Sequence, residues 1–282
     1  MVSTVRALFS YHYYKNVDIR AFHEKVSPVK AELFIDSGAF SAHTQGVKID
    51  LKEYVKFLQN NREFISVMAT LDDLSSPQKT RENHLALISE GLPVIPCFHV
   101  GEPLQYLEQY LEEHDYVALG GMVPYMRSKK DSVMRWLVQC FRLAQKFPGR
   151  GFHGFGCTAW KVVASFPWRS VDSSSWGAGF RFGSVPVFDV VTGSWHEVTL
   201  GDPKNKKLEQ LIKRYGFRWQ EFTDRSVNTR RANAGLAMAS WLEAEKWLSQ
   251  RHGGARVYFV DGNTPSVKKP AGDIGLALEA LK

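Results

Sequence analysis

The chain has 282 residues, 44% of them hydrophobic and 23% charged, with a formal net charge of +7; that suffices for a sizeable core, and no run of about 18 apolar residues is present to span a membrane. Cys97, Cys140 and Cys157 are too few and too widely spaced for a disulfide framework or a C-x-x-C metal knuckle, and Met1 to Arg6 does not open a signal peptide. A cytoplasmic globular protein is expected, with the positive charge pointing toward a polyanionic partner.

Strand-like and helix-like segments alternate over the first 180 residues. Arg6 to Tyr11 reads as the first strand, and Leu33 to Asp36 as a second that stops on a carboxylate. Leu51 to Asn60 carries Leu51, Tyr54, Val55 and Leu58 at the spacing of one helix face. Ser66 to Asp72 is a third strand, again ending on acid. Ser76-Pro77 opens a helix that closes at Gly91, with proline in the first turn and glycine past the end. Pro93 to Phe98 is a fourth strand, with His99 just beyond it, and Leu104 to Leu111 is a helix. Val117 to Gly120 is a fifth strand, stopping on Gly120-Gly121. The next helix runs from Asp131 to Gln145, capped near Asp131 or Ser132 and ending before Pro148-Gly149. Gly151 to Phe155, which holds His153, and Ser170 to Asp172 are further strands. After Trp176 the pattern changes. Val185 to Val191 and Trp195 to Leu200 read as a hairpin around Thr192-Gly193, followed by a basic helix and a helical stretch from Asn228 to Gln250. The last 30 residues carry no clear pattern.

Strands alternating with helices imply a parallel sheet. Polar groups at many strand ends favour a closed barrel, because an open sheet gathers its site at one switch point. No G-x-G-x-x-G joins a strand to a helix. The expected architecture is α/β, a single (β/α)8 TIM-like barrel over residues 1–282, with the hairpin and basic helix inserted at about 183–220.

A strand that ends on a carboxylate presents it at the barrel mouth. Asp36 precedes the small residues Ser37, Gly38 and Ala39, so it is either a site carboxylate or a cap for the next helix. Asp72 and Asp73 point to opposite sides of an extended chain, so one can face the site while the other caps a helix. A carboxylate suits a guanine edge, since it accepts from both the ring N–H and the exocyclic amine. Gly120 and Gly121 let a flat ligand approach backbone N–H groups. Asp172 lies among Ser170, Ser173 and Ser174. Taken one at a time, each is more often a cap or a turn. Lys204, Lys206, Lys207, Lys213, Arg214 and Arg218 form one basic stretch, with Arg225, Arg230 and Arg231 soon after. Such a stretch suits phosphate contacts, and it equally suits a solvated helix face.

In combination the segments resemble the tRNA-guanine transglycosylase superfamily. Asp36-Ser37-Gly38-Ala39-Phe40 is similar to its D-S-G-[GS]-[FY]-Q motif, Leu71-Asp72 to its base-reading Asp, and Ala118-Leu119-Gly120-Gly121-Met122 to its A-[IV]-G-G-[LM] segment. His153-Gly154-Phe155-Gly156 stands at its M-G-[VI]-G segment and Val171-Asp172-Ser173 at its F-D nucleophile segment. The departures are as specific. Ser41 follows Phe40 where the motif has Gln, His99 stands where a base-reading Gln is usual, and no cysteine follows Cys157 to form the C-x-C-x-x-C zinc site. A short chain without that zinc site most resembles the DNA-modifying 7-deazaguanine transglycosylases of phages and bacteria.

The resemblance implies base exchange at guanine, with Asp172 as nucleophile and Asp36 as general acid–base. It implies a base-binding set of Asp72, Ser37, Gly120, Gly121 and Met122, with His99 as a second reader and Phe40 and His153 sandwiching the ring. Arg169, Arg181, Lys204, Lys206, Lys207, Lys213, Arg214, Arg230 and Arg231 would hold phosphates. It implies no metal or redox cofactor, a free 7-deazaguanine as co-substrate, and DNA as the partner, with tRNA as the alternative. A non-catalytic nucleic-acid-binding barrel and a hydrolase of free nucleosides or sugar phosphates are the competing classes. Retention of both Asp36 and Asp172 argues against the first, and the basic stretch against the second.

Overall fold

The computed structural model describes residues 2, 4–126, 128–157, 159–177, 182–222, 227–260 and 272–281. Its strands are β1 (Thr4–Ser10), β2 (Lys30–Asp36), β3 (Val67–Ala69), β4 (Val94–Ile95), β5 (Cys97–His99), β6 (Tyr116–Gly120), β7 (Gly151–Gly154), β8 (Ser170–Ser173), β9 (Ser184–Asp189), β10 (Ser194–Thr199) and β11 (Val257–Val260). All except β9 and β10 form one sheet, in the order β4-β3-β2-β1-β11-β8-β7-β6-β5, and every pairing in it is parallel.

The order begins on β4 and ends on β5, which are one stretch of chain interrupted at Pro96. Proline has no N–H to give a ladder, so the strand breaks there. Both sides of that stretch are nevertheless bonded. Thr70 N donates to Ile95 O at 2.9 Å on one side, and Ala118 N donates to Pro96 O at 2.8 Å on the other. The sheet is therefore nearly closed and barrel-like.

Alternation divides the core in two. Val5, Ala7 and Phe9 of β1, with Leu33 and Ile35 of β2, belong to the larger cluster that includes residues of the surrounding helices. Leu8, Phe34, Ala69, Ile95, Cys97, Tyr116, Ala118 and Tyr258 form a separate cluster, the inside of the barrel. Strands buried on both faces explain why these segments read as unbroken apolar runs. The helices between them are punctuated by local chemistry. Asp18 caps α2 (Ile19–Val26; α1 is Tyr11–Tyr14), and Asp50 caps α4 (Leu51–Asn60; α3 is Ala39–Thr44). Ser76 caps α5 (Pro77–Ser89), and α6 (Leu104–Glu113), α7 (Lys130–Ala144) and α8 (Trp160–Val163) follow.

Two expectations change. The basic segment is not one helix but a 3-10 turn over Pro203–Leu208 followed by α9 (Glu209–Arg214). Asp202 caps that turn, and the Asn205 side chain accepts from Thr199 N and donates to Thr199 O, holding it back against β10. The last 30 residues, unreadable as sequence, supply β11 and α11 (Gly272–Ala280). The hairpin β9/β10 packs on α10 (Val227–His252) through Phe188 against Trp247 and Trp195 against Trp241, with Trp160 of α8 beside Phe188. Among the described residues no helix is long and apolar enough to cross a membrane.

Candidate active site

Side chains two residues apart along a strand share a face, so each inward file of the barrel ends at its carboxyl end. Two residues above Leu8, Phe34, Cys97, Ala118 and Tyr258 of the inner cluster stand Ser10, Asp36, His99, Gly120 and Val260. All five line one cavity of about 560 Å³. Asp72, Phe155 and Asp172 line the same cavity. Three carboxylates from β2, the loop after β3 and β8 thus meet in one space, of a size usual for small-molecule sites.

The turn after β2 explains its sequence. Gly38 N donates to Asp36 Oδ2 at 3.0 Å, closing a tight turn, and Gly38 itself has φ +76°. A β-carbon there would stand 2.2 Å from Ser10 Oγ and 2.6 Å from His12 Cβ, so no other residue fits. Ser37, buried, donates its hydroxyl to Asp72 Oδ1 at 2.8 Å, tying the second carboxylate to the first turn. Burial, reinforced by the charges of Asp72 and Asp172, pushes the Asp36 carboxyl up to about 8. It holds its proton at neutral pH.

Asp72 and Asp73 divide their work. Asp72 faces the cavity, while Asp73 accepts from Ser75 N and Ser75 Oγ at 2.9 and 2.6 Å. Asp72 Oδ2 lies 2.8 Å from His99 Nε2, and His99 Nδ1 lies 3.2 Å from Glu102 Oε1. Burial disfavours the His99 imidazolium, but Cys97 and the Asp72 and Glu102 carboxylates outweigh it and raise the ring well above its ordinary range. The carboxylates carry that effect, because burial pushes the Cys97 thiol up to about 12 and leaves it neutral. Burial also works to raise Asp72, yet the bonds from His99 and Ser37 hold it below the usual carboxylate range. His99 therefore has both nitrogens beside carboxylates and braces Asp72 from a position on the cavity wall.

The donor atoms of Asp72, Cys97 and His99 lie within 4.8 Å of one another, the group among the described residues that could close on a cation. Zinc bonds of about 2.0–2.2 Å would separate two tetrahedral N and O ligands by about 3.3 Å. The 2.8 Å between His99 and Asp72 is instead a hydrogen-bonded ion pair.

Asp172, 6% exposed, accepts from Gly156 N at 2.8 Å through Oδ1. Gly120 and Gly121 form the wall beside His99. A β-carbon on Gly120 would stand 2.8 Å from His99 Cδ2, and Gly121 has φ +73°. Phe40, nearly half exposed, lines the mouth.

Other candidates lie elsewhere. Met122 is buried and does not line the cavity; Val123 and Pro124 do. His153 is fully buried beneath the cavity, so it cannot stack on a ligand; Phe155, two residues on, reaches the wall. Arg169 immediately precedes β8 and so sits at the opposite end of the barrel. There it pairs with Asp115 at 3.1 Å and lies over the Tyr116 ring. Arg214, Arg230 and Arg231 are paired with Asp189, Asp273 and Glu279. Lys204, Lys206, Lys207 and Lys213 are exposed and make no ion pair among the described residues. Arg181 lies outside the described residues.

Ser10, Tyr13, Tyr14, Leu74 and Phe155 also line the cavity and escape a reading based on acids at strand ends. Alternation from His153 to Phe155 was the available signal for one of them. No family model matches this chain, and neither a curated protein nor a solved structure matches it.

Proposed function

We propose that this chain is a transglycosylase that exchanges guanine in DNA for a 7-deazaguanine base through a covalent Asp172–glycosyl intermediate. In this reading the barrel is an eight-stranded (β/α)8 barrel of TIM type, with β4 and β5 counted as one strand broken at Pro96. The observation that carries the reading is the trio of carboxylates in one cavity, each in a different setting. Asp36 keeps its proton to about pH 8, Asp72 is held as a carboxylate by Ser37 and His99, and Asp172 is anchored by Gly156.

Each setting matches one step. The Asp172 carboxylate attacks C1′ of the sugar as the bond to guanine breaks, which splits one difficult displacement into two easier ones. Asp36 gives its proton to the departing base and takes one from the glycosidic nitrogen of the incoming 7-deazaguanine. That nitrogen then displaces Asp172 from C1′, and the enzyme returns to its starting state. Asp72 accepts from the ring N–H and exocyclic amine that guanine and 7-deazaguanines share. Phe40 and Phe155, on the cavity wall, offer aromatic faces worth roughly 1–3 kcal/mol per stacked base.

A base inside a duplex cannot enter such a cavity, so the target is flipped or single-stranded at a cost of a few kcal/mol. Exposed Lys204, Lys206, Lys207 and Lys213 supply unpaired positive charge for the backbone. The test is incubation with labelled guanine and either DNA or tRNA. Label entering DNA is expected. Label entering tRNA alone moves the reading to the tRNA enzyme, and binding of either nucleic acid without exchange leaves a non-catalytic barrel.

A further inference from the structure

Beneath the cavity, an otherwise apolar barrel interior is crossed by a file of polar side chains. His153 is fully buried, with the Phe34, Phe155 and Tyr258 rings at centroid distances of 4.5, 4.6 and 6.1 Å. Its Nδ1 lies 2.6 Å from Ser170 Oγ, and that hydroxyl is hydrogen-bonded to the Tyr116 hydroxyl. Its Nε2 lies 3.2 Å from Asp172 Oδ1, outside hydrogen-bond geometry, and no polar atom hydrogen-bonds to it. Tyr116 in turn borders a second cavity, of about 250 Å³, at the opposite end of the barrel, beside Asp115, Arg169 and Arg256. Among the described residues nothing hydrogen-bonds to Asp172 Oδ2, while Oδ1 receives the Gly156 N–H.

Burying an imidazole in an apolar interior is costly unless its nitrogens are used. Of the two neutral tautomers, only one turns both nitrogens toward a complementary atom. If Nδ1 carried the proton, a bare Nε2 would face Oδ1 lone pair to lone pair. With the proton on Nε2, Nδ1 accepts from Ser170, Ser170 accepts from Tyr116, and Nε2 points its hydrogen at the carboxylate. The second nitrogen of a histidine setting the tautomer of the first is a recurring way to orient a partner.

We infer that His153 and Ser170 are positioning residues for Asp172: the chain Tyr116–Ser170–His153 turns the Nε2 hydrogen toward Oδ1, which the Gly156 N–H already holds, and leaves Oδ2 as the oxygen that attacks the sugar carbon. The role as attacker rests on the transglycosylase reading; the tautomer and its direction toward Oδ1 do not.

Two measurements separate these. Two-bond nitrogen–proton NMR of histidine-labelled protein, with the His153 signal identified by its loss in His153→Gln, is expected to show a protonated Nε2 and a bare Nδ1. A protonated Nδ1, alone or together with Nε2, overturns the inference whatever reaction the protein performs. The second is rescue in the guanine-exchange assay. His153→Asn keeps a polar group near Ser170 but cannot reach Asp172, whereas His153→Gln places an N–H close to the position of Nε2. Losing an N–H directed at a charged group slows exchange by about 10- to 100-fold. His153→Asn is expected to show that loss and His153→Gln to recover most of it. Equal rates for the two variants, both near or both far below the wild type, overturn it. A wild-type protein with no exchange at all removes the transglycosylase reading and leaves the NMR result to decide the chain.

Discussion

Asp36 makes the fold pay a pH-dependent cost that a single substitution should remove. Its carboxyl is raised from 3.8 to about 8, first by burial and then by Asp72 and Asp172. The folded protein keeps that proton up to about pH 8, while the unfolded chain releases it near pH 4. Between those values folding takes up a proton, so stability falls as pH rises, and the loss is complete above about pH 8. The full shift corresponds to a ceiling of about 6 kcal/mol. The carboxyl opens onto a water-accessible cavity, so screening reduces this to roughly half, about 3 kcal/mol. Asparagine has no proton to lose, and Asp36→Asn keeps an oxygen for the Gly38 N–H. Thermal unfolding followed by circular dichroism at about pH 4 and about pH 9 reads the difference directly. At roughly 2–4 °C per kcal/mol for a chain of this size, the variant should gain about 6–12 °C on the wild type between the two conditions. A gap between variant and wild type that stays constant with pH would refute the reasoning, because the carboxyl would then be ordinary and unable to serve as an acid near neutrality.

His99→Ala removes the cation between Asp72 and Glu102 and should cost about 3–5 kcal/mol in denaturant unfolding, the cost of breaking a buried pair; a loss under about 1 kcal/mol means the pair is solvated. Gly120→Ala drives a β-carbon to 2.8 Å from His99 Cδ2 and 3.1 Å from its Nε2. Calorimetric titration with 7-deazaguanine should show at least about tenfold weaker binding, since one misplaced hydrogen-bond pair is worth that much; unchanged affinity separates Asp72 from base recognition. DNA binding should weaken steeply between about 50 and 200 mM salt. Replacing Lys204, Lys206, Lys207 and Lys213 by Gln should flatten the slope by about 0.9 for each of these lysines that neutralises a phosphate. A slope unchanged by the four substitutions places the nucleic acid on another surface.

The strand ends were legible because barrel strands advertise themselves. Leu33-Phe34-Ile35-Asp36 is apolar on both faces until the chain leaves the core, so its first polar residue marks the mouth. The same logic placed Gly120 and Asp172. It failed for His153, which follows the same alternation one layer lower, where a polar residue signals an internal bond and not the mouth. Arg169 precedes the strand that ends beside Asp172 and so belongs to the opposite end of the barrel, a distinction that charge alone does not carry. Pairing of Arg214, Arg230 and Arg231 is a tertiary fact that no local run of charge reveals. The strand Val257–Val260 was missed because four residues after Gly253-Gly254 give too short an apolar run to separate from a turn. The bracing of Asp72 by His99 joins residues 27 positions apart, and the turn glycine Gly38 shows its necessity only when β1 stands beside it.

The central claim is that Asp172 becomes covalently attached to the sugar. Protein incubated with a guanine-containing single-stranded DNA, denatured without added base and resolved by gel and peptide mass spectrometry, should carry a glycosyl adduct on Asp172 that disappears in Asp172→Asn and is discharged by free 7-deazaguanine. An adduct that persists in Asp172→Asn, or exchange of labelled guanine by that variant, would contradict the account.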